Sequence, residues 1–492
     1  MRKDDLGDPG LPIKLHPVSN GEFVPPAASE LVRETARRAR VLAERAADRI
    51  GMDRRQFLMS SMASALTLGV LSACSKDEAS SRTPGSPPGG RYDTTTEATT
   101  DVDAAYAALG GEEFVFDVQT HFLDNTHDVA NLGVVFPQND CGEADPRDCF
   151  SVDKYLDLLF NKSDTDMIVI SALPFAGSPL SPDVMRKAMD LADRLCGEHR
   201  TLVQGEAHPS TGAFEGVLDN MAELRRALPV GAWKVYTHAG GPGWFLDDSD
   251  AAAPQVGQRF IDQARALGPR VIAVHKGFSG VGEPVHSDPR DIGPAAASNP
   301  DMAFVVYHSG FDVPATGLGV VEGPYDPAVN KGINRLITSV TEAGIGERGN
   351  VYAELGSTWR FVMTDPTQAA HVLGKLLVAF GEDNVVWGTD SIWYGSPQDQ
   401  IQALRAFEIT SEFQDRYGYP ALTPEIKAKI LGLNSARLYS VDPIASACRI
   451  PRDQVEEARL SALDANATYG PRSAQEVQAV ARHEAAQIGY HS

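Results

Sequence analysis

The chain has 492 residues, a formal net charge of −22 and five cysteines. This length allows a large core and more than one domain. An acidic surface argues against binding a nucleic-acid backbone, which needs Lys and Arg, so no nucleic-acid partner is expected. The cysteines form no CxxC pair and no zinc-finger spacing, which excludes those structural zinc modules.

Residues 1–51 form an N-terminal extension. The part from Leu31 to Ile50 has helical composition and many arginines, but its apolar residues make only a weak face. A solvated helix is therefore expected here, with a membrane-surface or partner helix as the alternative.

Residues 52–74 resemble a twin-arginine export signal with a lipobox. Arg54 and Arg55 precede an apolar run, 59–71, that is too short to span a bilayer but suits the core of a signal. The run ends in Leu-Ser-Ala-Cys, where the resemblance implies lipidation of Cys74. It implies export by the twin-arginine route to the periplasm or the extracytoplasmic membrane surface, with membrane contact only through the lipid anchor or an uncleaved signal. The alternative is a buried core helix preceded by two chance arginines.

Two further segments flank the central part of the chain. Residues 75–111 are rich in Ser, Thr, Pro, Gly and charge, a composition that predicts a disordered linker. Residues 443–492 are polar and helical in character. This C-terminal tail is expected either to pack on the preceding domain or to link subunits in a homodimer.

Between these segments, residues 112–442 alternate between short apolar runs and amphipathic helical stretches. The apolar runs begin at residues 114, 167, 202, 232, 271, 304, 351 and 384. Prolines at the start predict helices from Pro182, Pro327 and Pro366. Eight strand–helix units over this length predict an α/β fold, a (β/α)8 TIM barrel. The alternative, an open doubly wound sheet, would need a Gly-rich phosphate loop after its first strand, and none is present.

The first predicted strand, 114–122, ends in polar residues. In a regular strand Asp117, Gln119 and His121 share one face, while Phe116 takes the other face and suits packing against an outer layer. Burying polar groups on the inner face of an apolar strand costs free energy unless they form hydrogen bonds or bind a metal. This strand is therefore expected to open the barrel and to supply its first metal ligand, with Asp117 as a buried supporting group.

Chemically active side chains also stand at the ends of the later strands, where TIM barrels carry their active sites. A single histidine at such a place is more often structural, so the whole set is the evidence. The set comprises Glu206, His208, Lys234, Tyr236, His238, His275, His308, Glu354 and Asp390.

The pattern resembles the amidohydrolase superfamily, in its branch of metal-dependent hydrolases and decarboxylases. The matching pieces are DVQTH at 117–121, AVH at 273–275, VYHSG at 306–310, VWGTD at 386–390 and KILGLNSARLY at 429–439. The resemblance implies that His121, His275 and Asp390 hold one divalent metal ion, Zn or alternatively Mn. It implies that His308 lies beside them as a catalytic residue, either a second-site ligand or a substrate contact. It further implies that Asp390 is the general base for a metal-activated water. Imidazole and carboxylate ligands suit such a metal.

Gln119 departs from the family pattern, in which a histidine stands at this position. An amide oxygen is a poorer donor than imidazole for a borderline-soft ion. Three interpretations stay open. Gln119 is a weak metal ligand or leaves its place to water, or His127, Glu354 or His238 fills the gap, or the site has lost its metal.

Lys234, Arg360 and Glu354 are the candidates for binding the substrate. Lys234 is expected to pair with a substrate carboxylate, with Glu206 or with Glu354, and alternatively to be carboxylated and bridge two metals. Arg360 is expected either to hold an acidic substrate bidentately or to form a surface salt bridge.

These residues predict a metal-dependent hydrolase that cleaves a C–N or C–O bond of a small molecule, acidic ones included, with Asp390 as general base. Two alternatives stay open. One is a non-oxidative decarboxylase, because both reactions use the same ligands. The other is a non-catalytic lipoprotein that has kept the barrel as a binding scaffold.

Overall fold

The computed structural model describes residues 9–83, 85–123, 143, 146–171, 180–196, 199–210, 213–239, 241–278, 284–313, 321–447, 452–461 and 466–479. The strands are β1 Gly90–Tyr92, β2 Phe116–Thr120, β3 Met167–Ile170, β4 Thr201–Glu206, β5 Val230–Tyr236, β6 Val271–His275, β7 Ala303–Tyr307, β8 Val351–Glu354, β9 Val385–Val386 and β10 Phe407–Ile409. Strands β2 to β9 form one sheet of eight parallel neighbours in chain order. This architecture confirms the predicted (β/α)8 TIM barrel.

Helices lie between the strands and before the barrel. The N-terminal helices are α1 Glu30–Ile50, α2 Arg54–Leu58, α3 Ser61–Arg82 and α4 Val102–Leu109. The later helices span Val152–Leu156, Pro182–Cys196, Phe214–Ala227, Gly257–Leu267, Pro284–Ser287, Ile292–Ser298, Gly332–Glu342, Thr358–Val362, Pro366–Phe380, Gln398–Ala406, Ser411–Tyr417, Pro424–Ala428, Asn434–Tyr439, Pro443–Ser446 and Arg452–Ser461.

Two of the three helices predicted from a proline begin where expected, at Pro182 and Pro366. The third begins at Gly332 rather than at Pro327. The reason is local, because the side chain of Asp326 accepts a 2.9 Å hydrogen bond from the amide two residues on and closes a separate turn.

The barrel closes between its first and last strands. The amide of Val118 donates to the carbonyl of Trp387 at 3.1 Å, and the amide of Asp390 donates to the carbonyl of Gln119 at 2.9 Å. These bonds continue the short β9 along β2 and fix Asp390 beside the end of the first strand.

The first strand does not keep the regular alternation that its sequence suggests. Phe116 and Val118 pack in the barrel interior with residues of the other strands, among them Ala273 and Val305. The pairing of β2 with β3 then shifts register between Asp117 and Thr120. The expectation that Phe116 faces an outer layer was wrong, because this irregularity breaks the two-residue period and turns the following residues to a different face.

Helix α1 differs from the solvated helix expected for residues 31–50. It packs along α3, and it buries Ala36, Ala39, Ala43 and Ala47. Alanine contributes little to an apolar face in the sequence, yet its small side chain permits close approach of another helix. Such packing gave only a weak signal in the sequence.

Helix α3 contains the apolar run that resembles an export signal. Most of the run is buried, and the side chain of Cys74 is only 4 % exposed. This arrangement matches the alternative of a buried core helix, while the export signal and its lipidation stay predictions. Among the described helices, none combines the length and apolar character that crossing a membrane requires.

In its described residues, 75–83 and 85–111, the segment contains helices and a strand, in contrast to the predicted linker. Strand β1 pairs with β10, and α4 buries Ala105 and Leu109. Tyr92 is also buried, and its amide donates a 2.7 Å hydrogen bond to Ser72 Oγ. The average composition is polar, but these few residues pack on a surface that the barrel already provides, so the segment needs no core of its own.

The C-terminal tail is described in residues 443–447, 452–461 and 466–479, and it packs on the barrel near the mouth. The amides of Tyr469 and Gly470 donate to the carbonyl of Trp393 at 2.9 and 2.7 Å. The carbonyl of Pro471 accepts a 2.8 Å hydrogen bond from the amide of Ser19. The tail therefore joins the mouth of the barrel to the beginning of the chain.

Candidate metal centre

Side chains from four strand ends meet at the C-terminal mouth of the barrel, as the parallel strands direct them. Nε2 of His121 lies 3.1 Å from Oδ1 of Asp390. The amide nitrogen of Gln119 lies 3.5 Å from Nε2 of His308. The ring of His275 lies edge-on to that of His308, with 4.7 Å between centroids. All five side chains are almost completely buried.

Two of the histidines have their tautomer set by the backbone. Nδ1 of His121 lies 2.9 Å from the carbonyl of Ser171, and Nδ1 of His308 lies 2.7 Å from the carbonyl of Gly356. A carbonyl only accepts, so each Nδ1 carries the proton and donates. In the neutral rings Nε2 then presents a lone pair to the centre. Histidines that bind metals usually donate their other nitrogen to a partner in this manner.

His275 is buried without using its hydrogen-bonding capacity. Neither ring nitrogen makes a hydrogen bond to a described residue, and the ring stacks on Tyr236 with centroids 4.5 Å apart. Burial holds the pKa of His275 well below its usual range, and burial also lowers the pKa of His308 to about 4. Both rings are therefore neutral near pH 7, which is the form that binds a metal.

Two residues from the beginning of the chain reach the same centre. Oε1 of Glu22 lies 3.4 Å from Nδ1 of His275, and Oε2 lies 3.9 Å from Nε2 of His308. Nδ2 of Asn20 donates to Oδ2 of Asp390 at 2.8 Å and to Oε2 of Glu22 at 2.5 Å. We call residues 9–23 the N-terminal segment. The sequence analysis missed it because no periodicity or motif marks a residue that lies 370 positions from its partner.

Contacts with the barrel hold the N-terminal segment in place. The ammonium of Lys14 forms a 2.8 Å salt bridge with Asp399, and both side chains are buried. The ring of Phe23 stacks on Phe278 with centroids 4.9 Å apart. Apolar packing and a buried ion pair thus fix the chain on either side of Asn20.

Asp390 is held in an unusual backbone conformation. Its φ is +59°, in the left-handed region that non-glycine residues rarely adopt. Its carboxylate accepts hydrogen bonds from Gln119 Nε2 at 3.2 Å and from Ser357 Oγ at 2.5 Å. Burial raises the pKa of Asp390, but its interactions with His121 and His308 and the hydrogen bond from Ser357 hold it below its usual value. Asp390 is therefore an ionised proton acceptor.

Asp117 is buried, as expected, and holds the backbone on both sides of the centre. Its Oδ1 accepts from the amides of Gln119 at 3.1 Å and Thr389 at 3.0 Å. Burial raises the pKa of Asp117 to about 7. The carboxyl group joins the first strand to the residue that precedes Asp390.

Gln119, predicted as a metal ligand, directs its amide nitrogen to the centre. That nitrogen donates to Asp390, and Oε1 has no hydrogen-bond partner among the described residues. Oε1 lies against Gly356, where an added Cβ would be 2.2 Å away. Of the residues proposed to fill the gap, His238 lies near His275 with ring centroids 4.8 Å apart, and His127 lies outside the described residues.

Lys234 is buried at the end of β5 without an acceptor for its ammonium. Nζ has no hydrogen-bond partner in the described part of the chain. It lies 3.5 Å from the ring centroid of Tyr307. Burial lowers the pKa of Lys234 to about 7, against the opposing charges of Glu22 and Asp390. An anion that entered this position would restore the charged form.

The other two predicted substrate residues are engaged by the protein. Glu354 accepts from the amides of His308 at 2.8 Å and Gly356 at 2.5 Å, and burial raises its pKa to about 8. Nη2 of Arg360 donates to the carbonyl of His16 at 2.9 Å. Arg360 is buried rather than at the surface, and this nitrogen anchors the N-terminal segment.

The residues present fit a divalent metal ion. One atom each of Glu22, His275 and His308 lies within 4.8 Å of the others. The one ring lone pair of neutral His275 and the lone pairs of His121 and His308 can bind an electrophile, and ionised Asp390 adds a second carboxylate. Nitrogen and oxygen donors of this kind suit Zn and other first-row divalent ions.

Several solved structures are similar to this chain. An uncharacterised TIM-barrel protein of Bordetella bronchiseptica is 12 % identical with a TM-score of 0.42, covering 66 % of this chain and 98 % of its own. A 5-carboxyvanillate decarboxylase of Sphingomonas paucimobilis is 13 % identical with a TM-score of 0.40, covering 67 % and 100 %. A 2,6-dihydroxybenzoate decarboxylase is 13 % identical with a TM-score of 0.38, covering 67 % and 100 %. No curated protein matches the chain.

The family model described as amidohydrolase matches residues 116–441, which is the barrel and the helices that follow its last strand. The matched region contains every strand-end residue of the centre, while Asn20 and Glu22 lie outside it. The chain therefore belongs to the amidohydrolase family of enzymes.

Proposed function

We propose that the protein is a metal-dependent hydrolase that cleaves a C–N or C–O bond of a small molecule. The observation that carries the proposal is the convergence of three buried histidines on ionised Asp390, two of them with lone pairs directed inward. A divalent ion, Zn or alternatively Mn, would be held by His121, His275 and Asp390, and when bound it would polarise a carbonyl and lower the pKa of water.

Asp390 is the general base of the proposed reaction. Its carboxylate is ionised and held by hydrogen bonds from Ser357 and Asn20, so it can accept a proton from an attacking water. The hydroxyl of Ser357 is itself 2.6 Å from that of Tyr394. Asp390 would then give the proton to the leaving nitrogen or oxygen as its bond to carbon breaks, while the two hydroxyls hold the carboxylate in position. His308, whose Nε2 faces the same space, would either bind a metal ion or contact the substrate.

Lys234 supports an acidic substrate. The buried ammonium lies at the end of β5. The negative charges of Glu22 and Asp390 favour its protonated form, but it has no hydrogen-bond acceptor among the described residues. A substrate carboxylate would supply that acceptor. The same observation favours a second candidate, a non-oxidative decarboxylase, in which Lys234 would position the carboxylate that is lost.

Metal content and a substrate screen test the proposal. The full chain, expressed with Zn or Mn supplied, should carry about one ion per chain, and His275→Ala should lose it. His199→Ala, an exposed histidine outside the centre, is the matched control and should keep the metal. A metal-free wild type would overturn the proposal.

The screen should pair acidic lactones, esters and amides with aromatic and enoic acids. Hydrolysis of the first group without release of CO₂ is the expected result. Release of CO₂ from the second group, with no hydrolysis of the first, would replace the hydrolase by the decarboxylase.

A further inference from the structure

We propose that Glu22 supplies a carboxylate ligand in place of the histidine that the first barrel strand lacks at position 119, so that the N-terminal segment completes the metal centre. The inference rests on the proposed function, because it concerns the same metal. It assigns a ligand to a residue outside the part of the chain that the amidohydrolase model matches.

The distances around Glu22 are those of donors that share one ion. Its two carboxylate oxygens lie 3.4 Å from Nδ1 of His275 and 3.9 Å from Nε2 of His308. Tetrahedral donors about 2.1 Å from one Zn ion are about 3.4 Å apart. Only small side-chain movements are therefore needed for the three groups to bind the same ion.

The chemistry of the histidines also calls for a cation at this place. The lone pair of His308 faces Glu22 because its Nδ1 proton is donated to the carbonyl of Gly356. His275 makes no hydrogen bond to any described residue with either ring nitrogen. A carboxylate opposite a ring lone pair is unfavourable by itself, and a shared divalent ion turns both groups into ligands.

Gln119 has a different part in this arrangement. Its amide nitrogen donates to Asp390 at 3.2 Å, and its oxygen lies against Gly356. The side chain thus orients the carboxylate of Asp390 and does not present its oxygen to the centre. At the position where the family has a ligand, this chain has Gln119, which positions Asp390. The additional ligand is the carboxylate of Glu22, from outside the barrel.

The turn that carries Glu22 is constrained. Ser19 Oγ accepts from the amide of Gly21 at 2.9 Å, and Oδ1 of Asn20 accepts from the amide of Glu22 at 3.0 Å. Gly21 has a φ of +102°, which a residue with a side chain rarely adopts. Nδ2 of Asn20 also holds the Glu22 carboxylate at 2.5 Å. The carboxylate is preorganised before any ion arrives, which suits a ligand.

Metal affinity of the full chain tests the assignment. The apo protein is titrated with Zn against a chromophoric chelator, and Co is used in a parallel sample to record the visible spectrum of the bound ion. Glu22→Gln, which keeps the shape of the side chain, should weaken Zn binding about 100-fold and change the Co spectrum. Glu22→Asp should fall between Gln and wild type, because it keeps the charge at a shorter reach.

Glu30→Gln is the matched control. This variant carries the same Glu-to-Gln change in the N-terminal part of the chain, but the side chain of Glu30 is 80 % exposed. It should bind Zn as wild type does. Thermal melts of the apo proteins should be the same for all variants, so that a change in affinity reports the ligand and not the fold.

The outcomes separate this assignment from the proposed function. If wild type binds Zn and Glu22→Gln binds it equally well with the same Co spectrum, the assignment is overturned and the proposed function stands. If wild type binds neither ion, the proposed function fails and the assignment fails with it. Weaker binding and an altered spectrum in Glu22→Gln, with Glu30→Gln unchanged, support the assignment.

Discussion

The barrel strands and the N-terminal segment contribute to the same centre by different physical means. His275 and Asp390 are placed by parallel strands whose ends must converge once the sheet closes. Asn20 and Glu22 belong to no strand or helix, and they are placed by Lys14 and by other side-chain anchors. The comparison shows that one centre can combine ligands that topology guarantees with ligands that depend on a few specific contacts.

Loss of a strand-end group should have the largest effect. Asp390→Asn removes the proton acceptor and one metal ligand, so turnover of the substrate found in the screen should fall about 10³-fold. Asp415→Asn, on an exposed position of the helix Ser411–Tyr417, should leave turnover unchanged. Steady-state kinetics with added metal measure the change. An Asp390→Asn enzyme with wild-type turnover would show that the barrel mouth does not carry the chemistry.

Breaking an anchor should affect the N-terminal segment and spare the barrel. Lys14→Met leaves the carboxylate of Asp399 buried without its partner, which should cost about 3 kcal/mol. Hydrogen exchange should then rise in residues 9–23 before it rises in the strands, and Zn affinity should weaken.

The control for the anchor is the exposed pair of Arg91 and Glu408. Arg91→Met should change stability by less than about 1 kcal/mol, because solvent screens such a pair. Equal exchange in strands and segment after Lys14→Met would mean that the two regions unfold together, and the distinction between them would fail.

Removing the hydrogen bonds by which Asn20 joins Glu22 to Asp390 should weaken metal binding less. Asn20→Leu deletes the donors to Asp390 and Glu22 while roughly keeping the side-chain volume. Zn affinity should weaken about tenfold, as is usual for a group that orients a ligand. Asn161→Leu, whose side chain bonds Asp157 at 3.2 Å at the end of the helical turn Asp157–Asn161, should bind Zn as wild type does. A loss as large as that of His275→Ala would place Asn20 among the ligands.

The mildest test concerns the helices that precede the barrel. With α3 packed as in the structure, the thiol of Cys74 is only 4 % exposed and should resist alkylation in the native full chain. Peptide mapping after brief iodoacetamide treatment, with a denatured sample as control, measures this. Rapid native labelling would show that α3 leaves the barrel, as processing at the predicted lipobox requires. Cleavage there would also separate Glu22 from the barrel chain.

Much of the fold could be predicted because it follows from local periodicity. Eight apolar runs, each followed by a helical stretch, have few compact arrangements, and the barrel brings His121, His275, His308 and Asp390 to one mouth. The irregularity in β2 could not be predicted, because a register shift depends on the neighbouring strand. The order of residues 75–111 was missed for a related reason, since their few apolar side chains pack on a surface that composition does not describe.

The sequence by itself determined the strand ends and the residue types that stand there, because both depend on neighbours along the chain. Only the tertiary structure decided that Asn20 and Glu22 meet Asp390 and His275, and that Gln119 turns its amide nitrogen to the centre. These features depend on contacts between residues hundreds of positions apart, whose free energy arises only after the barrel has closed.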